Sequence, residues 1–277
     1  MSTAEILLLG AIAGSTIFLG LPMGRMHFVP QSVKAFMSAT AMGILVFLLW
    51  DVLSAAVNPV ESQLKAGHDG RFLGYAALLT GGFAVGLLSL ALYDGWLKRR
   101  RHRALLGPGA ASTAEFEQER HIVTMSPSHW LAIFIATGIG LHNFAEGLAI
   151  GQSAARNELS LALVLIIGFG LHNATEGFGI VAPLAGDKEP PSWGFLGALG
   201  LIGGAPTFLG TVVGQAWVST AVSIGFLALA AGSILFVVTE LIPVCRRMAS
   251  KELVTTGVFL GLFLGFATDF VLVAAGA

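Results

Sequence analysis

One seven-residue pattern occurs twice in the sequence and contains most of the side chains that could do chemistry. Leu-His-Asn-x-x-Glu-Gly runs from Leu141 to Gly147, and it returns thirty residues later from Leu171 to Gly177. A His and a Glu four residues apart stand one turn apart on the same face of a helix. Each copy therefore presents an imidazole nitrogen and a carboxylate oxygen in one direction.

Both copies lie in apolar surroundings, close to the middle of stretches near 129–153 and 159–184 that are long enough to cross a bilayer. A charged side chain at that depth costs at least about 2.5 kcal/mol on insertion scales, so it needs a partner. Two carboxylates and two neutral imidazoles around one divalent cation sum to zero charge, which removes most of that cost. We therefore expect antiparallel neighbouring helices whose motifs meet at the bilayer midplane and bind a metal.

The helical periodicity predicts how the ligands are shared. At about 100° per residue, each Glu lies between the His and the Asn of its own copy and can bridge two metal positions. The first position would use two His and two Glu, and the second two Asn with the same Glu side chains. The candidate ligands are His142, Asn143, Glu146, His172, Asn173 and Glu176. The alternative is that these groups only hydrogen-bond two membrane helices together.

The composition indicates an integral membrane protein. Hydrophobic residues make up 55% of the 277 residues, charged residues only 11%, and the mean hydropathy is +0.81, whereas soluble proteins have about 25% charged residues. Fifteen basic and sixteen acidic residues nearly cancel, so no net charge points to nucleic acid as a partner. The single cysteine, Cys245, excludes an intramolecular disulfide and any multi-cysteine metal cluster. These values argue against a water-soluble enzyme.

Eight apolar stretches have roughly the 20 residues that a helix needs to span a bilayer. We place them near 5–24, 34–57, 71–97, 129–153, 159–184, 193–216, 220–245 and 253–275. The break near Trp217 is weak, so seven spans is the rival count. The sequence predicts an all-α fold with one transmembrane domain over 1–277, interrupted by a cytoplasmic loop at about 98–128.

The basic residues decide between the two counts, because short cytoplasmic loops contain the excess of Lys and Arg. With eight spans and both termini outside, twelve of the fifteen basic residues face the cytoplasm, and the exceptions are Lys65, Arg71 and Arg156. Removing the break at Trp217 would put Arg246 and Arg247 on the wrong side. The charge distribution therefore favours eight spans.

At the paired motifs the chain resembles the ZIP family of divalent-metal transporters. The resemblance covers essentially the whole chain, and it implies eight spans with both ends outside and a transport site made by the six candidate ligands. Ala145 and Thr175 stand where many members have a proline just before the motif Glu. Ala205 stands where many have an acidic residue, and Asn173 where some have Asp. These last two departures predict one firm metal position and a weak or empty second one.

The ligand chemistry and the resemblance together predict import of a divalent transition metal into the cytoplasm across the cell (inner) membrane by alternating access. Mixed imidazole and carboxylate ligands suit zinc first, and also iron, manganese and cobalt, with cadmium as a further candidate. Asp51 and Glu240, which lie inside other spans, are candidates for the metal pathway. Their alternatives are a helix-end carboxylate for Asp51 and an ion pair with Arg246 or Arg247 for Glu240.

Two other functions remain open. A membrane-embedded metalloenzyme could use buried ligands, but neither Glu-x-x-His nor His-Glu-x-x-His occurs in the chain, whereas di-iron bundles and zinc proteases use those orders. We therefore expect no enzymatic activity and no catalytic cofactor. A nontransporting metal sensor is harder to exclude because of the changes in span six. The expected partners are the metal ion and the lipid bilayer, with a homodimer as an option, and His129 is expected to be an ordinary solvated histidine.

Overall fold

The computed structural model describes residues 3–106, 125–155 and 159–274, and these ranges form long helices joined by short turns. The helices are α1 (Thr3–Ser15), α2 (Gln31–Lys65), α3 (Asp69–Leu106), α4 (Pro127–Ala155), α5 (Leu159–Val181), α6 (Trp193–Ala216), α7 (Thr220–Met248) and α8 (Lys251–Ala274). Two 3-10 segments, Thr16–Leu19 and Leu21–Arg25, follow α1, and a third, Ala182–Gly186, follows α5. These ranges contain no strand. The predicted all-α fold is confirmed.

Within the described residues, seven segments are long and apolar enough to cross a membrane, and they include every helix except α5. The remaining helix, α5, has 23 residues and contains the second motif copy. The weak break near Trp217 is present, since α6 ends at Ala216 and α7 begins at Thr220. The placement of both termini outside stays a prediction.

Two helices continue beyond their predicted ends. Span two is predicted near 34–57, and helix α2 continues beyond it through Pro59 to Lys65. Membrane helices tolerate a proline where the freed carbonyl finds another partner. The turn that follows uses Gly67, whose φ of 72° favours glycine. Helix α3 extends to Leu106 and not 97, so the basic run at 98–103 is helical. Residues 107–124, most of the predicted cytoplasmic loop, lie outside the described residues.

Glycines bring four helices together around the first motif copy. A Cβ at Gly140, Gly147 or Gly151 of α4 would overlap a carbonyl oxygen of α6. One at Gly14 of α1 would likewise overlap α6, and one at Gly177 of α5 would overlap the 3-10 segment after α1. Small residues allow membrane helices to approach backbone to backbone. We call α1, α4, α5 and α6 the ligand group.

Close packing at glycines also joins the other four helices into a second unit. Gly43 and Gly261 bring α2 onto α8, and Gly86 and Gly232 bring α3 onto α7, each with a carbonyl oxygen where a Cβ would be. Helix α2 also packs along α7. We call α2, α3, α7 and α8 the frame group.

The contacts between the two groups have a different character. Gly138 of α4 lies against the side chain of Val237, and Gly179 of α5 lies against that of Leu241, both in α7. Helix α4 packs on α7 and helix α5 on α2 along this boundary. The two motif helices therefore lie where the ligand group meets the frame group through side chains.

Candidate metal centre

Three side chains with metal-ligating atoms meet inside the bundle. Nε2 of His172 lies 2.6 Å from Oε1 of Glu146, and Nε2 of His142 lies 3.0 Å from the same oxygen. The ligand atoms of these three residues are all within 4.8 Å of one another. His142 is fully buried and Glu146 is 4% exposed. The structure thus brings the two motif copies together, as their spacing predicted.

Glu176 completes the cluster from the second copy. Its Oε1 lies 3.7 Å from Nε2 of His142, and among the described residues neither of its buried carboxylate oxygens has a hydrogen-bond partner. Nδ1 of His142 and Oε2 of Glu146 are unpartnered in the same way. Each such buried polar atom costs about 1–3 kcal/mol. A divalent cation bound between the two helices would satisfy several of them at once, so the chemistry of the cluster fits a metal.

The two Asn side chains attach the motif helices to their neighbours. Nδ2 of Asn143 donates to the carbonyl of Gly203 in α6 at 2.9 Å, and Nδ2 of Asn173 donates to the carbonyl of Ala13 in α1 at 3.2 Å. Because a carbonyl only accepts, these bonds determine which end of each amide is the nitrogen. Each Oδ1 is buried and has no partner in the described part of the chain. The amides are therefore held by one end, and their oxygens are free to bind a cation.

The motif glycines are functional residues that the sequence reasoning missed. A Cβ at Gly147 would overlap the carbonyl oxygen of Thr207 in α6, and one at Gly177 would overlap that of Ile17 beside α1. In both copies, Asn and Gly therefore fasten the helix to a neighbour while His and Glu face the cluster. The signal was the constant position of glycine directly after each motif Glu.

The departure in span six has a structural explanation. Ala205 lies on the exposed face of α6, whereas Gly203 and Gly204 are buried. Pro206 has no N–H, so the carbonyl of Ile202 lacks its usual partner four residues on. Gly140 of α4 packs against this carbonyl. Helix α4 therefore packs closely against this turn of α6, and position 205 contributes no ligand side chain.

A cavity of about 260 Å³ lies beside His172, between α2, α5 and α8. Asp51 of α2, Thr175 of α5 and Asp269 of α8 line it, among mostly apolar side chains. The sequence marked Asp51 as a pathway candidate but gave Asp269 no role, although an acidic residue inside a span was the available signal. Glu240 is half-buried on α7 and lies outside the residues that line this cavity.

Long apolar helices around a buried group of imidazoles and carboxylates define a multi-pass membrane protein with a metal-ligand cluster in its interior. The sequence model of a family described as ZIP zinc transporter matches residues 96–273, which include both motif copies. The chain therefore belongs to the ZIP zinc transporter family, and the resemblance seen at the motifs is confirmed. Members of this family are divalent-metal transporters. A comparison with curated proteins found no match.

Proposed function

We propose that this protein imports zinc into the cytoplasm across the cell (inner) membrane, and that His142, Glu146, His172 and Glu176 bind the ion in transit. The observation that supports this is the meeting of three ligand atoms from two helices within 4.8 Å, with His142 and Glu146 buried and His172 partly buried. Zinc takes four nitrogen, oxygen or sulfur ligands in a tetrahedral arrangement. Iron, manganese, cobalt and cadmium are the competing ions because they accept nitrogen and oxygen ligands as well.

A second, weaker position lies beside the first in this proposal. It would use the free amide oxygens of Asn143 and Asn173 together with the shared carboxylates of Glu146 and Glu176. Both positions would share the same two carboxylates, and position 205 adds no third one. The amide oxygens of the second position suit a transition metal less well than the imidazole nitrogens of the first. We expect one ion to bind firmly and a second to bind only at high metal concentration.

The cavity beside His172 is the proposed outer approach to the site. Asp51 and Asp269 place two carboxylates in its wall, and a cleft lined by one sign of charge raises the local concentration of the opposite ion. Glu240 lies further toward the cytoplasmic end of α7, about two turns before Arg247. We assign it to the inner exit path.

Alternating access follows in this proposal from the two kinds of helix contact. Backbone-to-backbone contacts at glycines keep the ligand group and the frame group each intact. The boundary between them includes side-chain contacts such as Gly138 on Val237, which can exchange as one surface moves over the other. The ion would travel with α4 and α5 while the frame group opens first one side and then the other.

Zinc flux into proteoliposomes, reported by an enclosed dye, tests the proposal. The purified protein should transport zinc, and Glu146→Gln and His172→Ala should each lower the rate by at least about tenfold, as expected for loss of a metal ligand. Glu61 lies near the end of α2 and His68 lies in the turn after it, and both are exposed. Glu61→Gln and His68→Ala are therefore matched controls. They should leave the flux unchanged.

Three results would contradict parts of this proposal. Wild-type protein that binds zinc without transporting it would be a metal sensor and not a carrier. Undiminished flux in Glu146→Gln and His172→Ala would remove the site assignment. Stronger competition by iron, manganese, cobalt or cadmium would change the ion. A homodimer stays a prediction, which light scattering of the detergent-solubilised protein checks.

A further inference from the structure

A cluster of polar side chains joins the cytoplasmic ends of α4 and α5, far from the metal centre. Oγ of Ser128 lies 2.8 and 2.6 Å from the two carboxylate oxygens of Asp187, so its hydroxyl donates to that carboxylate. Nδ1 of His129 lies 3.4 Å from Oδ2 of Asp187. Oγ of Ser126 lies 2.7 Å from both Oγ of Ser128 and Nδ1 of His129. We call these four residues the cytoplasmic clamp.

The clamp is built by the local sequence at the start of α4. Oγ of Ser126 accepts the backbone N–H of His129 at 3.3 Å, and Pro127 is the first helical residue, which is a favoured start for a helix. Asp187 directly follows the 3-10 segment that continues α5. Its carboxylate therefore reaches the amino end of α4, where the helix dipole favours a negative charge.

The connection that contains Asp187 also contacts α1 and α6. Arg25, at the end of the 3-10 segments after α1, donates to the carbonyl of Pro191 and lies 4.9 Å over the ring of Trp193. The ring of His129 lies 4.6 Å from that of Phe195 in α6. The prediction that His129 is an ordinary solvated residue is therefore wrong, since it is half-buried among these partners. All four helices of the ligand group meet at this end.

Helices α4 and α5 need such a tie because their own interface contains no close glycine packing within the described residues. The glycines of α4 pack on α6 or α7, and Gly170 and Gly177 of α5 pack on α1 or the segment after it. The chain joins the outer ends of α4 and α5 directly, through residues 156–158. At the inner ends, the clamp supplies the corresponding connection.

We propose that Asp187 is a positioning residue for the metal centre, which holds the first turn of α4 against the end of α5 so that Glu146 stays within reach of His142 and His172. This inference rests on the proposed metal site. The clamp residue nearest to the site along α4 is His129, thirteen residues before His142 and so about 20 Å away along the helix. Asp187 therefore acts through the register of the two helices and does not touch the ion.

Zinc affinity of the purified full-length protein, together with KM and the maximal rate of uptake, tests this inference. Asp187→Asn should raise both Kd and KM by roughly threefold to tenfold, within the range found for residues that act on a binding site without touching its ligand. Ser128→Ala, which keeps the charge, should act in the same direction and serves where Asp187→Asn does not fold. Glu189→Gln is the matched control, because Glu189 is exposed two residues away, and it should change neither constant.

An exchange of the two partners separates positioning from general stability. Ser128→Asp combined with Asp187→Ser restores a hydroxyl–carboxylate pair, and its Kd should return to within about twofold of the wild-type value, which is the size of effect left when a hydrogen bond is replaced by an equivalent one. A purely structural role would lower the amount of folded protein while the folded fraction kept the wild-type Kd. That result, or failure of the exchange to restore affinity, would overturn the inference. Wild-type protein that does not bind zinc would instead overturn the proposed function.

Discussion

Replacing the motif glycine Gly147 by alanine separates helix packing from metal ligation. Glycine has no side chain with which to bind an ion, so any effect of Gly147→Ala must act through the position of α4. The added Cβ would overlap the carbonyl oxygen of Thr207. Helix α4 would have to move away from α6 and take His142 and Glu146 with it.

The size of the effect follows from this overlap. An ordinary close C–H···O contact leaves about 3.3–3.6 Å between carbon and oxygen, so the two helices would have to part by more than about 1 Å. Overpacking of this kind costs about 1–3 kcal/mol. The same movement stretches the 2.9 Å bond from Asn143 to Gly203, one turn away, and its loss adds about 1 kcal/mol. We expect Gly147→Ala to lower the free energy of unfolding by about 2–4 kcal/mol.

Thermal unfolding in detergent and zinc flux in proteoliposomes measure the two consequences. Gly147→Ala should lower both the melting temperature and the flux, and Gly177→Ala should do the same because its Cβ would overlap the carbonyl of Ile17. Gly197→Ala in α6 is the control, since a Cβ there meets open space. The flux should stay at the wild-type level, and the melting temperature should stay there or rise slightly because alanine is the better helix former. A Gly147→Ala protein with wild-type stability and flux would refute the reasoning.

Three further outcomes can be checked with the same preparation. Asp51→Asn should raise the KM for zinc by roughly threefold at low ionic strength and by less at high salt, because screening weakens the attraction of the cavity for cations. The control Glu61→Gln, which breaks only an exposed pair with Lys65, should leave the KM unchanged. An effect of Asp51→Asn that does not depend on salt would contradict the role of Asp51. Gln152→Ala should change the maximal rate without changing the zinc Kd, because Ser223 donates to Gln152 at 2.8 Å across the boundary between the ligand group and the frame group. A changed Kd with an unchanged rate would show that Gln152 acts on metal binding and not on the movement of the two groups. Zinc at one hundred times its Kd should stabilise the protein by about 2.7 kcal/mol over the chelator-treated form, and an unshifted unfolding curve would show that the folded protein does not bind the ion.

The ligand cluster could be predicted because it depends on local periodicity. A helix turns once in 3.6 residues, so the spacing of His142 and Glu146 placed them on one face, and the repeat at equal depth placed His172 opposite. The structure brings these three together. The boundary at Trp217 could be predicted as well, because the distribution of Lys and Arg required a crossing there even though local hydropathy barely marked it.

Other features depend on partners that are distant along the chain. Asp187 contacts Ser128, 59 residues away, and nothing in the local sequence marks that contact. The packing of Gly147 on Thr207 depends on how closely α6 approaches. The length of α2 is a related case: Pro59 removes one local hydrogen bond, yet the helix continues past the predicted span to Lys65.

The doubling of packing residues within the two motifs affects how genetic screens of this protein must be interpreted. In a saturation library selected for growth on scarce metal, Gly147 and Gly177 would tolerate substitution as poorly as Glu146 does. If every position that is sensitive to substitution were counted as a ligand, the number of ligands would be too high. Added metal separates two effects, because a surplus of ion compensates for weakened binding and does nothing for a loss of folded protein. Variants rescued by supplementation would mark the ligands and the residues that position them, and those that stay impaired would mark residues that the fold itself requires.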